Sequence, residues 1–188
     1  MTKQRLKQPI SISTKTGDGG ESGLANGERL AKSDPVFEVL GTLDELNSWV
    51  GLLITQLDTQ FAVHKEYLLE IQDTLFYIGA EVARSPKAHL SGKALEKLET
   101  KAAVLENQLA DDWHTKFIYP GGTELGAHAD LARSVCRRSE RVLTQYMQTA
   151  QLSPILLQYL NRLSDYLYLL RCFFNDSVEY EEREFSTQ

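Results

Sequence analysis

Apolar residues recur through most of this chain at spacings of three and four, and the pattern begins just after Pro35. Val39, Leu40, Leu43, Leu46, Val50, Leu53 and Ile54 trace one stripe, the signature of a helix that buries a single face. Tyr67, Leu68, Ile71, Leu75 and Ile78 form a second stripe and predict a helix from about Ala62 to Arg84. The stretch SPKAHLSG then breaks the pattern, and Leu95, Leu98, Val104, Leu105 and Leu109 mark a weaker third helix. YPGG has the chemistry of a turn. Thr123 is suited to cap the next helix, which runs to about Met147. SPILLQ opens a fifth helix with Ser153 as cap and Pro154 in the first turn, and Leu156, Leu160, Leu163, Leu167 and Leu170 are its packing stripe. Five helices on short polar connections, with no convincing sheet, predict an all-α five-helix bundle.

The ends of the chain follow a different pattern. Ser13 to Asp34 holds five glycines, three lysine or arginine side chains and five hydroxyl side chains, with almost nothing to fill a core. SISTK admits a short strand that glycine soon ends. The expected organisation is a single domain over 1–188: a glycine-rich arm (1–34) outside the helical body, the bundle (35–175) and an acidic tail (176–188). The tail, VEYEEREFSTQ, is expected to fray into solvent.

Composition narrows the function classes. A chain of 188 residues and 21.2 kDa, 42% apolar, suits one globular domain with a substantial core. No apolar run approaches the roughly 20 residues that span a bilayer, and the start MTKQRLKQPISIS lacks the apolar core of a signal peptide. The two cysteines, Cys136 and Cys172, have no metal-like spacing, which fits a reducing compartment. The expectation is a cytoplasmic protein without a membrane partner. The net charge of −6 argues against nucleic acid as a partner.

One local exception to the acidic balance is ARSVCRRSER, which packs Arg133, Arg137, Arg138 and Arg141 into nine residues. At 100° per residue, Arg133, Arg137, Glu140 and Arg141 share an arc of about 100°, while Arg138 points elsewhere. Glu140 offsets one guanidinium, and the others call for an anion: a carboxylate on another element or chain, or a ligand phosphate. A solvated basic face is the plainer alternative, but Ala127, Leu131, Val135 and Cys136 set this helix into the bundle and suggest a half-buried arginine face.

On the fifth helix Asn161 and Asp165 lie one turn apart beside the leucine stripe, where unpaired polar groups cost on the order of 1–3 kcal/mol. On pattern alone a structural hydrogen-bond pair is the plainer reading. Asp44 and Asn47 form a similar pair on the first helix, and Asp44 is a candidate counter-ion for an arginine. The arm contains no G-x-x-x-x-G-K-[ST], and Ser22 stands where G-x-G-x-x-G would need its third glycine. What it offers is backbone donors, the hydroxyls of Thr14, Thr16 and Ser22, and the ammonium groups of Lys15 and Lys32, a set able to wrap a triphosphate with its magnesium ion. His64, His89, His114 and His128 are scattered; Asp111 and Glu124 lie a turn before His114 and His128, but no metal-ligand cluster results. No nucleophile-and-base arrangement is present, so the reactive centre of an enzyme built this way must come from its substrates.

Five segments in order, STKTGDGGESGL, GTLDELNS, FIYPGG, ARSVCRRSER and YLNRLSDYLYLL, resemble the ATP:cob(I)alamin adenosyltransferases of the propanediol-utilisation type over about residues 11–174. The resemblance implies a five-helix bundle that forms a homotrimer with each active site between neighbouring subunits. It implies transfer of the 5′-deoxyadenosyl group of ATP to the cobalt of cob(I)alamin, giving adenosylcobalamin and triphosphate, with magnesium held mainly by the triphosphate. Carried over by residue, the ATP-binding loop falls on Thr14, Lys15, Thr16, Gly17, Asp18, Gly20, Ser22 and Gly23, with Lys32 reaching back to the phosphates. Arg137, Arg138, Glu140 and Arg141 are implied around the nucleotide, Arg137 nearest the triphosphate, and Asn161 contacts nucleoside or phosphate. Asp44 and Arg133 resemble an ion pair across the subunit interface. Phe117 resembles the aromatic that helps displace cobalamin's lower ligand, with Asp165 also on the cobalamin side. A cobalamin reductase or a cobalamin-dependent enzyme is the implied protein partner. Glu21 departs from the family pattern, standing where many relatives have a hydroxyl or small residue. A corrinoid carrier without catalysis and a helical interaction protein with a disordered arm are the alternatives from other classes.

Overall fold

The computed structural model describes residues 13–109 and 117–186. The five helices are α1 (Pro35–Gln56), α2 (Ala62–Val82), α3 (Gly92–Glu106), α4 (Glu124–Tyr146) and α5 (Pro154–Asp176). Their starts follow capping chemistry. Asp34 accepts the Val36 N–H ahead of Pro35, Ser91 accepts the Lys93 N–H, and Thr123 accepts the Gly126 N–H. Ser153 occupies the cap position of α5, but its side chain makes no capping bond, so the Pro154 start carries that end. Helix α2 ends at Val82, just short of the expected Arg84, which adopts a left-handed backbone (φ 62°) while the Ser85 N–H closes back on the Ala80 carbonyl.

Helices α4 and α5 pack side by side at the centre; α1 lies against α4, α2 against α1, and α3 against α5. The predicted stripes meet in one core that includes Val39, Leu46, Leu68, Ile71, Leu143, Leu160 and Leu163. Val104 and Leu95 are the exceptions, Val104 exposed and Leu95 half-buried on α3, where Leu98 and Leu105 alone are fully inside the helix's packing face.

Two expectations about the chain ends are overturned. The arm is not a loop outside the body: β1 (Glu21–Gly23) and β2 (Arg29–Ala31) pair antiparallel, with Ser22 opposite Leu30. Asn26 and Gly27 turn the chain, Gly27 with φ 89°. Leu24 is buried in the core, the Ala25 N–H donates to the Ala83 carbonyl (2.9 Å), and Glu28 pairs with Arg84. The strand expected at SISTK does not form over Ser13–Lys15, and its earlier residues lie outside the described ones.

The acidic tail does not fray either. Ile118 and Glu184 form an antiparallel bridge, the Tyr119 N–H donates to the Arg183 carbonyl (2.9 Å), and the Phe185 N–H donates to the Phe117 carbonyl (2.7 Å). A buried cation explains why. Arg171 is 1% exposed inside α5, and Glu182 meets it with both carboxylate oxygens at 2.5 and 2.6 Å. Leaving that guanidinium unpaired in the core would cost several kcal/mol, so the tail is held down by its charge.

Candidate active site

The functional candidates divide among three places: the loop before β1, a groove over α5, and the segment leading into the Pro-Gly-Gly turn. In the loop, Lys15 takes a left-handed backbone (φ 58°) and Gly20 does so as well (φ 83°), curling 15–20 so that the Gly20 N–H returns to the Gly17 carbonyl. The Lys32 N–H donates to the Gly20 carbonyl at 2.8 Å. Its side chain folds over Gly17, so closely that a Cβ on Gly17 would stand 3.1 Å from Lys32 Nζ. Arg29 donates to the Thr16 carbonyl at 2.7 Å, and the hydroxyls of Thr14 and Thr16 touch at 2.9 Å. Lys32 therefore does reach back to the glycine turn, and Thr14, Lys15, Thr16 and Asp18 stay exposed around it. Ser22 and Gly23 lie in β1 rather than in the loop, and Glu21, the departure from the family pattern, pairs outward with Arg29.

The groove over α5 is walled by α3 and α4. One cavity of about 610 Å³ is lined by Arg133, Arg137, Arg162, Asp165, Tyr168 and Glu99. A second, of about 450 Å³, continues from it past Glu99 and Arg162 to Glu140 and Asn161. The helix of arginines and the polar pair of α5 thus face the same space. Asn161 donates to Glu140 at 3.0 Å. Arg162, a residue the sequence pattern did not single out, bridges Asn161 Oδ1 (3.0 Å) and Asp165 (3.2 Å) and also meets Glu99 (3.4 Å).

Four arginines in one segment meet four different circumstances. Arg133 is half-buried, bonded through Nε to Asp130 Oδ1 at 3.0 Å and 5.8 Å from the Tyr168 ring centroid. Arg138 stands on the other side of α4, paired with Glu45 of α1 while its own Nε is buried without an acceptor; within one chain it is not part of the groove. Arg141 curls back to the Arg137 carbonyl at 3.0 Å. Arg137 is exposed in the groove, with no side-chain hydrogen bond or ion pair among the described residues. The expected half-buried arginine face is thus limited to Arg133 on the groove side. The expectation that Asp44 answers an arginine finds no support within a single chain: Asp44 is exposed on α1 beside an apolar cavity of about 340 Å³ lined by Leu40, Phe76 and Gly79.

Phe117 is 82% exposed, although its carbonyl accepts from the Phe185 N–H and the next residue, Ile118, is bridged to Glu184. It leads into Gly121 and Gly122, both at positive φ, where a Cβ on Gly122 would collide with Asn175 at 2.1 Å. The Asn175 Oδ1 accepts from the Thr123 N–H (3.0 Å) and hydroxyl (2.8 Å), while its Nδ2 donates to the Gly121 carbonyl (3.1 Å). Arg171 donates to the Tyr119 carbonyl at 3.2 Å, and the Arg183 guanidinium lies 4.2 Å from the Tyr119 ring centroid. Sequence reading passed over Arg171, although an arginine in the apolar run LLRCFF demands a buried partner.

Among the described residues the remaining titratable groups offer no second centre. Burial pushes the thiols of Cys136 and Cys172 up, away from thiolate character, and Cys136 donates its S–H to the Leu160 carbonyl. Among the described residues no three His, Cys, Asp or Glu side chains gather as metal ligands, and no helix is long and apolar enough to cross a membrane. His114 and Asp111 lie outside the described residues.

The chain is 38% identical over 169 residues to a cobalamin adenosyltransferase of Cupriavidus metallidurans, covering 85% of each chain. It is 35% identical over 182 residues to a corrinoid adenosyltransferase of Bacillus subtilis, covering 92% of this chain and 93% of the relative. Among solved structures, a phenylalanine-to-alanine variant of a PduO-type ATP:corrinoid adenosyltransferase from Lactobacillus reuteri, complexed with cobalamin and ATP, matches with a TM-score of 0.88. That match has 30% identity and covers 94% of this chain and all of the other. The family model for cobalamin adenosyltransferase matches residues 12–174, from the loop to the last turn of α5, and the chain belongs to that family.

Proposed function

We infer that this protein transfers the 5′-deoxyadenosyl group of ATP to the cobalt of cob(I)alamin. The single observation that carries the reading is Arg137: a guanidinium with no ion pair among the described residues, in a groove large enough for a ligand, on a chain of this family. The nucleophile is the substrate's own cobalt, which agrees with the lack of any nucleophile-and-base pair in the sequence. Cobalt attacks the ribose C5′, the C5′–O bond breaks, and its electron pair leaves with triphosphate. Negative charge grows on the triphosphate as that bond breaks, and Arg137 is the group assigned to meet it.

The other roles follow position and chemistry. The loop from Thr14 to Gly20, with Lys32 folded over Gly17, wraps the phosphates through backbone N–H, hydroxyl and ammonium donors. Ser22 and Gly23 in β1 hold the far end of that loop. Magnesium enters with ATP as part of the substrate, held mainly by the triphosphate. Glu140 and Asn161, bonded to each other, line the nucleoside side with Arg141 near them, and Asp165 faces the corrinoid; Arg138, on the other side of α4, reaches the nucleotide only from a neighbouring subunit. Phe117 fills the space beneath the corrin and keeps the lower ligand and water from returning to cobalt, which makes cobalt easier to reduce.

Among the described residues no hydrogen bond or ion pair joins the loop to Arg137, Arg141 or Asn161 within one chain. A homotrimer whose sites lie between subunits brings such halves together, with Asp44 of one subunit beside Arg133 of the next. The compartment proposed is the cytoplasm, with a cobalamin reductase or a cobalamin-dependent enzyme as protein partner. The decisive experiment incubates the protein with Mg-ATP and chemically reduced cobalamin and follows the absorbance change on cobalt–carbon bond formation. Turnover is expected; retention of cobalamin without turnover would instead identify a carrier.

A further inference from the structure

Among the described residues, Asp130 is the carboxylate that touches both sides of the site. It is 6% exposed on α4, and its two oxygens serve different neighbours. Oδ1 accepts from Arg133 Nε at 3.0 Å, on the cavity side that also holds Arg137. Oδ2 accepts from the Gly121 N–H at 3.1 Å and from Arg171 Nε at 3.3 Å, on the side of the segment that carries Phe117. Arg171 extends that second arm, donating to the Tyr119 carbonyl and holding Glu182 of the tail.

We propose that Asp130 is a shared positioning residue, fixing Arg133 in the nucleotide-side cavity with one oxygen and the Phe117 segment on the corrinoid side with the other. The inference rests on the functional reading above. A carboxylate suits this task because it presents two acceptor oxygens with no donor to satisfy, and each of its bonds here is to a cation or a backbone N–H. An amide can keep only one of the two arms, because its NH₂ group meets a donor on the other. A carboxylate serving stability alone would not need to divide its bonds between the two substrate sides.

The test compares Asp130→Asn with Glu182→Gln, which weakens only the loop-and-tail arm. Two readouts are taken in the absence of turnover: ATP affinity by calorimetry, and the fraction of cob(II)alamin that becomes four-coordinate, by its spectrum with ATP bound. Asp130→Asn is expected to weaken ATP binding and to lower the four-coordinate fraction, each by about tenfold, the ratio that one charge-assisted hydrogen bond carries. Glu182→Gln is expected to lower the four-coordinate fraction and leave ATP affinity within about twofold. Asp130→Glu, which keeps the charge but shifts both oxygens by a methylene, takes the place of the Asn variant if that one does not fold, with the same expectations. An Asp130 variant that loses thermal stability while both readouts stay at wild-type values overturns the proposal, as does one that moves a single readout. Wild-type protein in the same assays separates the two levels: no binding or turnover there would overturn the functional reading, whereas an active wild type with an indifferent Asp130 variant overturns this inference alone.

Discussion

Arg171 and Arg137 carry the same guanidinium and live in opposite circumstances. Arg171 is inside α5, with Asp130, both oxygens of Glu182 and the carbonyls of Tyr119 and Gly121 around it. Arg137 stands in an open groove with none of these. The first is matched by the fold and therefore belongs to the fold. The second is exposed and makes no side-chain bond to a described residue, and it is the group that the proposed function assigns to the triphosphate. Charge satisfaction, rather than charge itself, distinguishes structure from function in this protein.

The largest effect comes from breaking the matched side. Arg171→Met leaves Glu182 without its cation, leaves Asp130 with Arg133 alone and releases the tail, and removing one partner of a buried pair costs about 3–5 kcal/mol. The melting temperature is expected to fall by roughly 10 °C for a domain of this size. A fall below about 2 °C would show that the knot around Arg171 contributes little to stability.

Breaking the unmatched side should give the reverse profile. Arg137→Ala removes no internal bond, so its unfolding free energy is expected to stay within about 0.5 kcal/mol of wild type. Transfer should fall by roughly 10²-fold or more even when cob(I)alamin is supplied ready-made, because a charge-assisted donor is lost where charge develops. Unchanged transfer, or a stability loss like that of Arg171→Met, would remove the contrast between the two arginines.

Phe117→Ala sharpens the comparison on the apolar side. The ring is 82% exposed, so the fold should hardly register its loss. ATP affinity is expected to remain nearly intact. Activity measured from cob(II)alamin with a reductant should fall by about tenfold, and activity from preformed cob(I)alamin should fall much less. Equal impairment in both assays would show that Phe117 acts on something other than cobalt reduction.

The same distinction explains what could be read in advance. The five helices were legible because each has a stripe of the right period and all but one of the long helices begin at a side-chain cap or at proline. The arginine cluster and the Asn161–Asp165 pair were legible as charge and polarity on a helical face. The hairpin was missed although Asn26-Gly27 is a turn signal, because β1 and β2 are three residues each and only Leu24, helped by the half-buried Leu30, anchors them in the core. The tail was misread for a different reason. Glu182 is one acid among several in EYEEREF, and only the three-dimensional position of Arg171 selects it. Local pattern predicts local structure; a partner 11 residues away across a chain reversal is a property of the fold.

A third circumstance, a half-buried titratable ring held uncharged, gives the smallest expected effect. The His64 ring lies 4.7 Å from that of Phe173 and 6.2 Å from that of Phe174, between centroids, in a cavity it shares with Lys101. Burial lowers its pKa from the ordinary 6.5, and the Lys101 charge lowers it further. The folded protein therefore keeps His64 neutral at a pH where the unfolded chain already binds a proton. His64's contribution to stability is complete above about pH 6.5 and is lost as pH falls toward the folded pKa, since the unfolded state takes up the proton first. Below the folded pKa both states are protonated and the slope vanishes. The measurement is the urea midpoint of wild type and His64→Gln at about pH 7.5 and about pH 5.5, on either side of an ordinary histidine pKa. Carboxylates contribute equally to both proteins, so the difference between their losses isolates His64. Wild type is expected to lose more stability than the variant over that interval. Equal losses would mean that the ring is protonated in the folded state without penalty, and that Lys101 and the surrounding phenylalanines do not keep it neutral.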